Sequence, residues 1–231
     1  MQKQLPEKQG PRKIINSYQA VIILPKKEEL TMEQNVKVGQ IVQNFEMEVY
    51  DPVKGDFGKI SLEEVKAKKQ WTALFFYPAD FTFICPTELN DLAEKHKELK
   101  AAGCEVISVS TDTKFSHLAW QQSEKLLKNV KYLMGADPTA KVSRQFGVYD
   151  EATGLALRGT FLINPEGKLV CSEVNFYNVG RNASELLRKA QANIYCSSHP
   201  EEVCPANWTE GKKTLKPSAK IVGKVSEAMA A

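Results

Sequence analysis

Hydrophobic and polar positions along the chain follow two periods in turn, one typical of strands and one typical of helices. Residues 71–77 contain no charge, which predicts a short buried strand. From Pro86 the apolar positions recur at helical spacing until Gly103, so a helix follows this strand. A second, largely apolar run covers residues 105–110. The order of strand, helix and strand predicts a unit with two parallel strands.

The same two periods predict further elements on both sides of this unit. They are a hairpin over 45–60, a short helix opened by the capping box of residues 61–64, a helix over 113–127, a strand over 130–134, a helix opened by Asp137 and Pro138, a hairpin of strands 155–163 and 168–174 around the turn 164–167, and a helix over 182–195. Strands alternating with helices predict an α/β fold in which helices cover both faces of a mixed central sheet.

The composition fits one folded domain in a reducing compartment. The chain has 231 residues, 42% of them hydrophobic, which is enough for a full core. Its five cysteines are odd in number and form no CxxC pair, so we expect a cytoplasmic protein rather than a secreted disulfide scaffold. No apolar stretch reaches the roughly 18 residues that a membrane-spanning helix needs, so we expect no membrane partner.

The net charge of +3 comes from the N-terminal segment. The first 31 residues hold six basic and three acidic side chains, whereas the charges of the remaining residues balance. A neutral body gives nucleic-acid binding no electrostatic support, so nucleic acid is not an expected partner.

Cys85 lies where the uncharged run ends and the helical pattern begins. Free amide N–H groups and the positive end of the helix dipole favour an anion there, so the thiolate is stabilised over the thiol. Taken alone, the position is equally compatible with a structural thiol, because free cysteines are among the most often buried residues.

The spacing of Pro78, Thr82 and Cys85 points to chemistry. Thr82 lies three residues before the sulfur, so we expect its hydroxyl within reach of the thiolate or a substrate oxygen. Pro78 has no N–H and is expected to cover the sulfur with apolar surface. Singly, Pro78 would be interpreted as a strand terminator and Thr82 as a turn residue. Together, within the string FFYPADFTFICPTE of residues 75–88, they resemble the peroxidatic motif of the peroxiredoxins, in its typical 2-Cys form.

The resemblance extends over residues 38–217, and a second cysteine segment supports it. Residues 199–208, HPEEVCPANW, resemble the resolving-cysteine segment of the family, which makes Cys204 the second thiol. The other three cysteines have no such match. We expect Cys104 and Cys171 to be core residues, while Cys196, eight residues before Cys204, is a candidate for thiol exchange.

Two arginines complete the resemblance. Residues 157–167, LRGTFLINPEG, match the strand and turn that hold the family's active-site arginine, here Arg158. The stretch before Arg181 resembles the one whose arginine braces the first through a glutamate, which corresponds to Glu88. Without the other motifs Arg158 would be interpreted as a half-exposed strand residue and Arg181 as a solvated one.

The resemblance implies a thioredoxin-like fold of peroxiredoxin type and a thiol-specific peroxidase for hydrogen peroxide and organic hydroperoxides. It implies that Cys85 becomes a sulfenic acid and then forms an intersubunit disulfide with Cys204 in a homodimer, with dimers assembling into a decamer. Thioredoxin or a dedicated flavoprotein disulfide reductase would regenerate the thiols, and neither a metal nor an organic cofactor is required.

The resemblance also divides the chain. We expect a leader over 1–37 that is disordered or outside the family core, the peroxiredoxin domain over 38–195, and a C-terminal segment over 196–231 with the resolving cysteine and a tail. The first 31 residues are interpreted as a disordered leader or the product of a misplaced translation start.

Two other function classes are open at this point. A dithiol oxidoreductase needs a CxxC pair, and the residue three positions after Cys85 is Glu88, which disfavours it. A redox sensor or chaperone-like assembly, in which peroxide oxidation is the signal, is compatible with the resemblance. Steady peroxide turnover with a thioredoxin-type reductant would favour the enzyme, and a single stoichiometric oxidation would favour the sensor.

The sequence departs from peroxide-sensitive members of the family at two places. Those members carry a Gly-Gly-Leu-Gly insertion before the arginine strand and a Tyr-Phe pair in a C-terminal helix. Here residues 149–158 contain no such insertion, and no aromatic residue follows Trp208. We therefore expect resistance to overoxidation.

Phe81 and Phe83 are expected at a subunit contact or, alternatively, in packing beneath Cys85.

Overall fold

The structure is a computed structural model described over residues 35–230. The predicted leader over 1–37 therefore lies almost wholly outside the described residues. In chain order, the strands and α-helices of the described part are β1 (Glu46–Asp51), β2 (Asp56–Ser61), α1 (Leu62–Ala67), β3 (Trp71–Phe76), α2 (Cys85–Ala101), β4 (Cys104–Ser110), α3 (Lys114–Ser123), β5 (Leu133–Ala136), α4 (Lys141–Gln145), β6 (Tyr149–Asp150), β7 (Leu155–Ala156), β8 (Arg158–Ile163), β9 (Leu169–Asn175), α5 (Ala183–Ser198) and α6 (Val225–Ala230).

Seven strands form one mixed sheet in the order β2-β1-β5-β4-β3-β8-β9. β4 pairs in parallel with β3 on one side and with β5 on the other, and all other neighbours are antiparallel. β6 and β7 form a separate two-stranded ribbon. The predicted mixed α/β sheet is confirmed, and so is the parallel pair that brackets α2.

β3 is covered on both faces, and this fixes the start of the loop that leads to Cys85. Ala73 and Phe75 belong to one hydrophobic cluster, which also contains Leu89 of α2. Leu74 and Phe76 belong to the cluster on the other face. Successive strand residues point to opposite faces. The uncharged run is therefore a central strand with two packed sides.

The structure confirms several of the predicted caps and turns. Ser61 and Glu64 form the capping box of α1. Asn182 caps α5 by accepting a hydrogen bond from the Ser184 N–H at 2.8 Å. The turn between β8 and β9 is closed by the Asn164 N–H donating to the Lys168 carbonyl, with Gly167 at φ +84°.

The helix predicted over 113–127 is wrong in its last four residues. α3 ends at Ser123, and Glu124 is extended, with ψ of 117°. The Glu124 carboxylate accepts the Leu126 N–H at 3.0 Å and starts a separate 3-10 helix, Lys125–Asn129. The strand predicted over 130–134 shifts accordingly. Val130 ends the 3-10 helix, and β5 begins at Leu133.

Two further boundaries need correction. The helix expected to open at Asp137 and Pro138 begins at Lys141, because Ala140 adopts a left-handed conformation; the Asp137 carboxylate still accepts the Ser143 N–H at 2.7 Å. The strand predicted over 155–163 is divided at Leu157 into two strands of different sheets. The Leu157 N–H donates to the Val148 carbonyl at 2.7 Å beside the β6–β7 ribbon, and β8 of the main sheet starts at Arg158.

No helix in residues 35–230 is long and apolar enough to cross a membrane.

Candidate active site

Cys85 is the first residue of α2 and is completely buried. The preceding residue, Ile84, provides no side-chain cap. Pro86 has no N–H and the Thr87 N–H donates to the Ile84 carbonyl at 3.0 Å, so of the first three helical residues only Cys85 has an unused N–H. The sequence prediction that a thiol occupies a helix N-terminus at the end of a buried strand is confirmed. This position favours negative charge on the sulfur.

Arg158, the first residue of β8, points its guanidinium at this sulfur. Its Nη1 lies 3.5 Å from the Cys85 Sγ, and its Nε donates to the Tyr177 carbonyl at 2.8 Å. The Arg158 residue is buried, so its interpretation as a half-exposed strand residue is wrong. A fixed cation beside the sulfur favours the thiolate and is available to an oxygen bound there.

Glu88 holds Arg158 in this position from one turn along α2. The Arg158 Nη1 donates to the Glu88 Oε2 at 2.5 Å, while the Arg181 Nε donates to Oε1 at 2.8 Å and its Nη2 to Oε2 at 3.2 Å. All three side chains are buried. Two cations on one carboxylate leave one net positive charge, and Arg158 brings that charge next to the Cys85 sulfur.

Arg181 is itself fixed by three further contacts. Its Nη1 donates to the Gly159 carbonyl at 2.7 Å and to the Thr160 hydroxyl at 3.1 Å, and its guanidinium carbon lies 3.4 Å from the centre of the Phe75 ring. Burial lowers the pKa of Arg181 from its ordinary value, while hydrogen bonding to Glu88 opposes this shift. Arg181 is thus a buried brace, and its interpretation as a solvated residue is wrong.

Pro78 and Thr82 lie in the loop between β3 and α2. Pro78 is buried. Thr82 lies before the helix begins, and its hydroxyl donates to the Ala79 carbonyl at 2.8 Å. Within residues 35–230 no hydrogen bond joins Thr82 to Cys85. The expected contact with the thiolate is therefore replaced by a bond that closes the loop, and the hydroxyl keeps its acceptor side for a ligand.

A buried polar network that the sequence analysis missed supports the same loop. Asp80 accepts hydrogen bonds from the Tyr77 hydroxyl at 2.7 Å and from the His117 Nδ1 at 2.8 Å. The His117 Nε2 lies 3.1 Å from the Gly135 carbonyl, and the Asp80 N–H donates to Asp112 at 2.9 Å. The sequence feature that could have indicated this network is Asp80, a charged residue between Pro78 and Thr82. Nothing in the sequence pairs it with His117.

Cys204 lies away from this site in the same subunit, against the end of α5. Its Sγ is 3.5 Å from the Cys196 Sγ and 3.8 Å from the Ala192 carbonyl. Both thiols are half-buried. All five cysteines of the chain are free thiols. Burial and the neighbouring Cys196 raise the pKa of Cys204 to about 11.

The two other cysteines have little thiolate character. Cys104 on β4 is buried, and burial raises its pKa to about 12. Cys171 on β9 is half-buried, and burial raises its pKa as well. The core interpretation is therefore confirmed for Cys104, while Cys171 lies partly at the surface.

Comparison with known proteins agrees with this site. The model of the AhpC/TSA family matches residues 38–172, and that of the C-terminal domain of 1-Cys peroxiredoxin matches residues 196–227. Alkyl hydroperoxide reductase C of Amphibacillus xylanus is 47% identical over 188 residues, which cover 81% of this chain and 98% of that protein. The Staphylococcus aureus protein of the same name is 46% identical over 181 residues, covering 78% and 95%.

Solved structures show the same relationship. AhpC of Enterococcus faecalis aligns with a TM-score of 0.69 at 42% identity, covering 73% of this chain and 98% of that one. A reduced 2-Cys peroxiredoxin of Plasmodium vivax aligns with a TM-score of 0.77 at 31% identity, covering 83% and 99%.

Fold and site together define a thiol-dependent peroxidase with the thioredoxin-like fold of the peroxiredoxins. The chain belongs to the AhpC/TSA family, and its relatives place it in the alkyl hydroperoxide reductase C branch of the 2-Cys peroxiredoxins. It is therefore an oxidoreductase, and the sensor interpretation is not favoured.

Proposed function

We propose that Cys85 is the peroxidatic thiol of this enzyme, that Cys204 is the resolving thiol, and that Arg158 is the catalytic cation. The observation that carries the assignment is the 3.5 Å approach of the Arg158 guanidinium to a sulfur at the N-terminus of α2. Glu88 and Arg181 position Arg158 and touch no reacting atom. Pro78 and the Thr82 hydroxyl bound the peroxide site.

The first step is a displacement at oxygen. The Cys85 thiolate attacks the terminal oxygen of R–O–O–H, and an S–O bond forms while the O–O bond breaks. The electron pair goes to the departing RO⁻ oxygen, which takes a proton from solvent and leaves as an alcohol or water. The product at Cys85 is a sulfenic acid. Arg158 and the positive end of the α2 dipole stabilise the negative charge that moves between these oxygens.

The second step joins two subunits of a homodimer, a reading supported by the relationship to 2-Cys peroxiredoxins. The Cys204 thiol of one subunit attacks the sulfenic sulfur of the partner subunit's Cys85, and water leaves with the thiol proton. Because Cys85 is buried, the first turn of α2 has to open before this attack. The lack of a side-chain cap at Ile84 lowers the cost of opening.

Regeneration needs two electrons and two protons. We propose that thioredoxin or a dedicated flavoprotein disulfide reductase supplies them in a reducing cytoplasm, where the five free thiols persist. Hydrogen peroxide and organic hydroperoxides are the proposed substrates.

We also propose that dimers associate into a decamer through the loop before α2. Phe83 is 94% exposed and Phe81 is 60% exposed, so packing beneath Cys85 does not explain them. Large exposed aromatic residues beside a functional loop favour a protein interface. Light scattering of the reduced protein at micromolar concentration should give the mass of the decamer, and a monomer would contradict this assembly.

Steady-state peroxide consumption with a thioredoxin-type reductant tests the assignment. Cys85→Ser should abolish turnover, because the attacking thiolate is gone. Cys204→Ser should consume about one equivalent of peroxide per subunit and then stop at the sulfenic acid. Cys171→Ser is the matched control and should turn over like the wild type. Sustained turnover by Cys85→Ser would overturn the proposal.

A further inference from the structure

Cys196 and Cys204 form a second thiol pair, separate from the site around Cys85. Their sulfur atoms are 3.5 Å apart, and a disulfide bond of about 2.05 Å requires them to approach by only about 1.5 Å. Cys196 lies in the last turn of α5, and Cys204 follows eight residues later.

Contacts on both sides hold Cys204 against α5. Val203 pairs with Leu215 through two backbone hydrogen bonds of 2.9 and 3.0 Å. Glu202 accepts a hydrogen bond from the Tyr195 hydroxyl at 2.7 Å and another from the Thr214 hydroxyl. Tyr195 is the neighbour of Cys196 in sequence, so this carboxylate ties the loop of Cys204 to the turn that carries Cys196. The sulfur pair is therefore positioned by the fold.

We propose that Cys196 is a third redox thiol, which takes over the intersubunit disulfide and leaves a Cys196–Cys204 disulfide within one subunit. The inference rests on the proposed role of Cys204. In this scheme the external dithiol reductant acts on the Cys196–Cys204 disulfide at the end of α5, away from the buried Cys85 site.

The exchange balances without another reactant. The Cys196 thiolate attacks the Cys204 sulfur of the mixed disulfide, the Cys196–Cys204 bond forms, and the bond to the partner subunit's Cys85 breaks. Cys85 leaves as a thiolate, and the proton of Cys196 goes to solvent. Two electrons are redistributed among three sulfurs with no net oxidation. A stabilised thiolate is the better leaving group, and Arg158 with the N-terminus of α2 stabilises Cys85.

The state of Cys204 sets the order of events. In the reduced protein two thiols in contact disfavour simultaneous ionisation, which is one reason why the pKa of Cys204 is raised. Once Cys204 is oxidised to the mixed disulfide it carries no charge, so this repulsion disappears. The nearby Arg188 guanidinium favours negative charge at Cys204, and therefore at the sulfurs exchanging there. Cys204 therefore has to act first, because its sulfur can be attacked by Cys196 only once it is part of a disulfide.

The test is a time-resolved titration of the reduced full chain with hydrogen peroxide in the absence of reductant. Samples are quenched with an alkylating agent, and disulfide-linked peptides are mapped by mass spectrometry. In the wild type, two subunits should first be linked covalently by the Cys85–Cys204 disulfide. Most subunits should end without a covalent link to a partner and with a Cys196–Cys204 disulfide inside the subunit. Cys196→Ser should stop at the dimer. Cys171→Ser replaces another half-buried thiol and should behave like the wild type.

Stoichiometry gives a second readout. Exchange frees Cys85 for another oxidation, so the wild type should consume about two equivalents of peroxide per subunit and Cys196→Ser about one. A wild type that remains dimeric, consumes one equivalent and keeps Cys196 alkylatable would overturn the third-thiol role alone. Absence of any Cys85–Cys204 disulfide in both proteins would instead overturn the proposed function on which the inference rests.

Discussion

At the scale of single residues, the site depends on how one guanidinium is shared. Arg158 donates from the same Nη1 to Glu88 and to the Cys85 sulfur. Its Nε is held by the Tyr177 carbonyl, a backbone group that cannot turn away. Arg158 therefore cannot leave the sulfur without breaking buried hydrogen bonds, and it is already in position before a substrate arrives.

Arg158→Ala removes this preorganised donor. We expect oxidation of Cys85 to slow by about two to three powers of ten, the scale for losing one such group. Stopped-flow measurement of peroxide oxidation of the reduced protein gives the rate. The control is Arg144→Ala, which removes an exposed arginine paired with Glu151 and should leave the rate unchanged. A rate for Arg158→Ala within threefold of the wild type, which corresponds to a difference of roughly 0.7 kcal/mol in activation free energy, would contradict the role of Arg158 in oxidation.

Residue roles were predictable from the sequence only where a motif carried them. Cys85, Arg158, Arg181 and Glu88 come together in the structure, whereas helical or strand periodicity alone would have left both arginines at the surface. The Thr82 hydroxyl was expected near the thiolate or a substrate oxygen; it bonds the Ala79 carbonyl rather than the sulfur, and its contact with a substrate oxygen stays a prediction. His117 was missed because its partner is 37 residues away and no local pattern signals a long-range polar contact.

At the scale of elements, the start of β8 supplies two neighbouring parts of the site. Arg158 provides the guanidinium, and the carbonyl of the next residue, Gly159, accepts a hydrogen bond from Arg181. A Cβ at Gly159 would lie 2.7 Å from both the Phe161 ring and the Val148 side chain. No real carbon makes such contacts without displacement, so either these two side chains or the start of β8 would have to shift.

Gly159→Ala should lower the free energy of unfolding by about 1–3 kcal/mol through overpacking. It should also slow Cys85 oxidation, because the displaced segment includes Arg158. Denaturant unfolding and stopped-flow oxidation measure the two effects. Gly58→Ala in β2 is the matched control, since its Cβ would meet Val49 at an ordinary 3.6 Å. Equal stability and equal rates for the two variants would exclude a special role for Gly159.

The elements themselves were predictable because periodicity is strong wherever a strand or helix is half or wholly buried. The errors lie at boundaries decided by single side chains. Glu124 caps a separate 3-10 helix at a point where the spacing of apolar residues still predicts the α-helix to continue. Asp137 caps α4 through two backbone N–H groups several residues along, beyond the usual capping distance. Such contacts depend on the three-dimensional path of the chain, which periodicity does not record.

At the scale of the whole molecule, the enzyme has to open Cys85 to its partner faster than a second peroxide reaches it. The described tail after Trp208 contains a short 3-10 helix, Ala219–Ile221, and one short α-helix, α6, and neither has a buried residue. No aromatic residue lies there to pack over the first turn of α2. Local opening should therefore be cheap, and resolution by Cys204 should compete well with overoxidation.

We accordingly expect sustained turnover through millimolar hydrogen peroxide, with little sulfinic acid at Cys85. Mass spectrometry after turnover measures the oxidation state of Cys85. Cys204→Ser is the control: it stops at the sulfenic acid when peroxide is limiting, but at millimolar peroxide its unresolved sulfenic acid should be oxidised further to sulfinic acid. Dominant sulfinic acid in the wild type at about 0.1 mM peroxide would show that the tail does not set this balance.

The central claim is that peroxide oxidises the sulfur of Cys85, and direct trapping tests it. Reduced Cys204→Ser protein is treated with less than one equivalent of hydrogen peroxide together with dimedone, a reagent specific for sulfenic acids, and its peptides are mapped by mass spectrometry. The account predicts one adduct, on Cys85, in an amount equal to the peroxide consumed. An adduct mainly on Cys104, Cys171 or Cys196, with Cys85 unmodified, would contradict it.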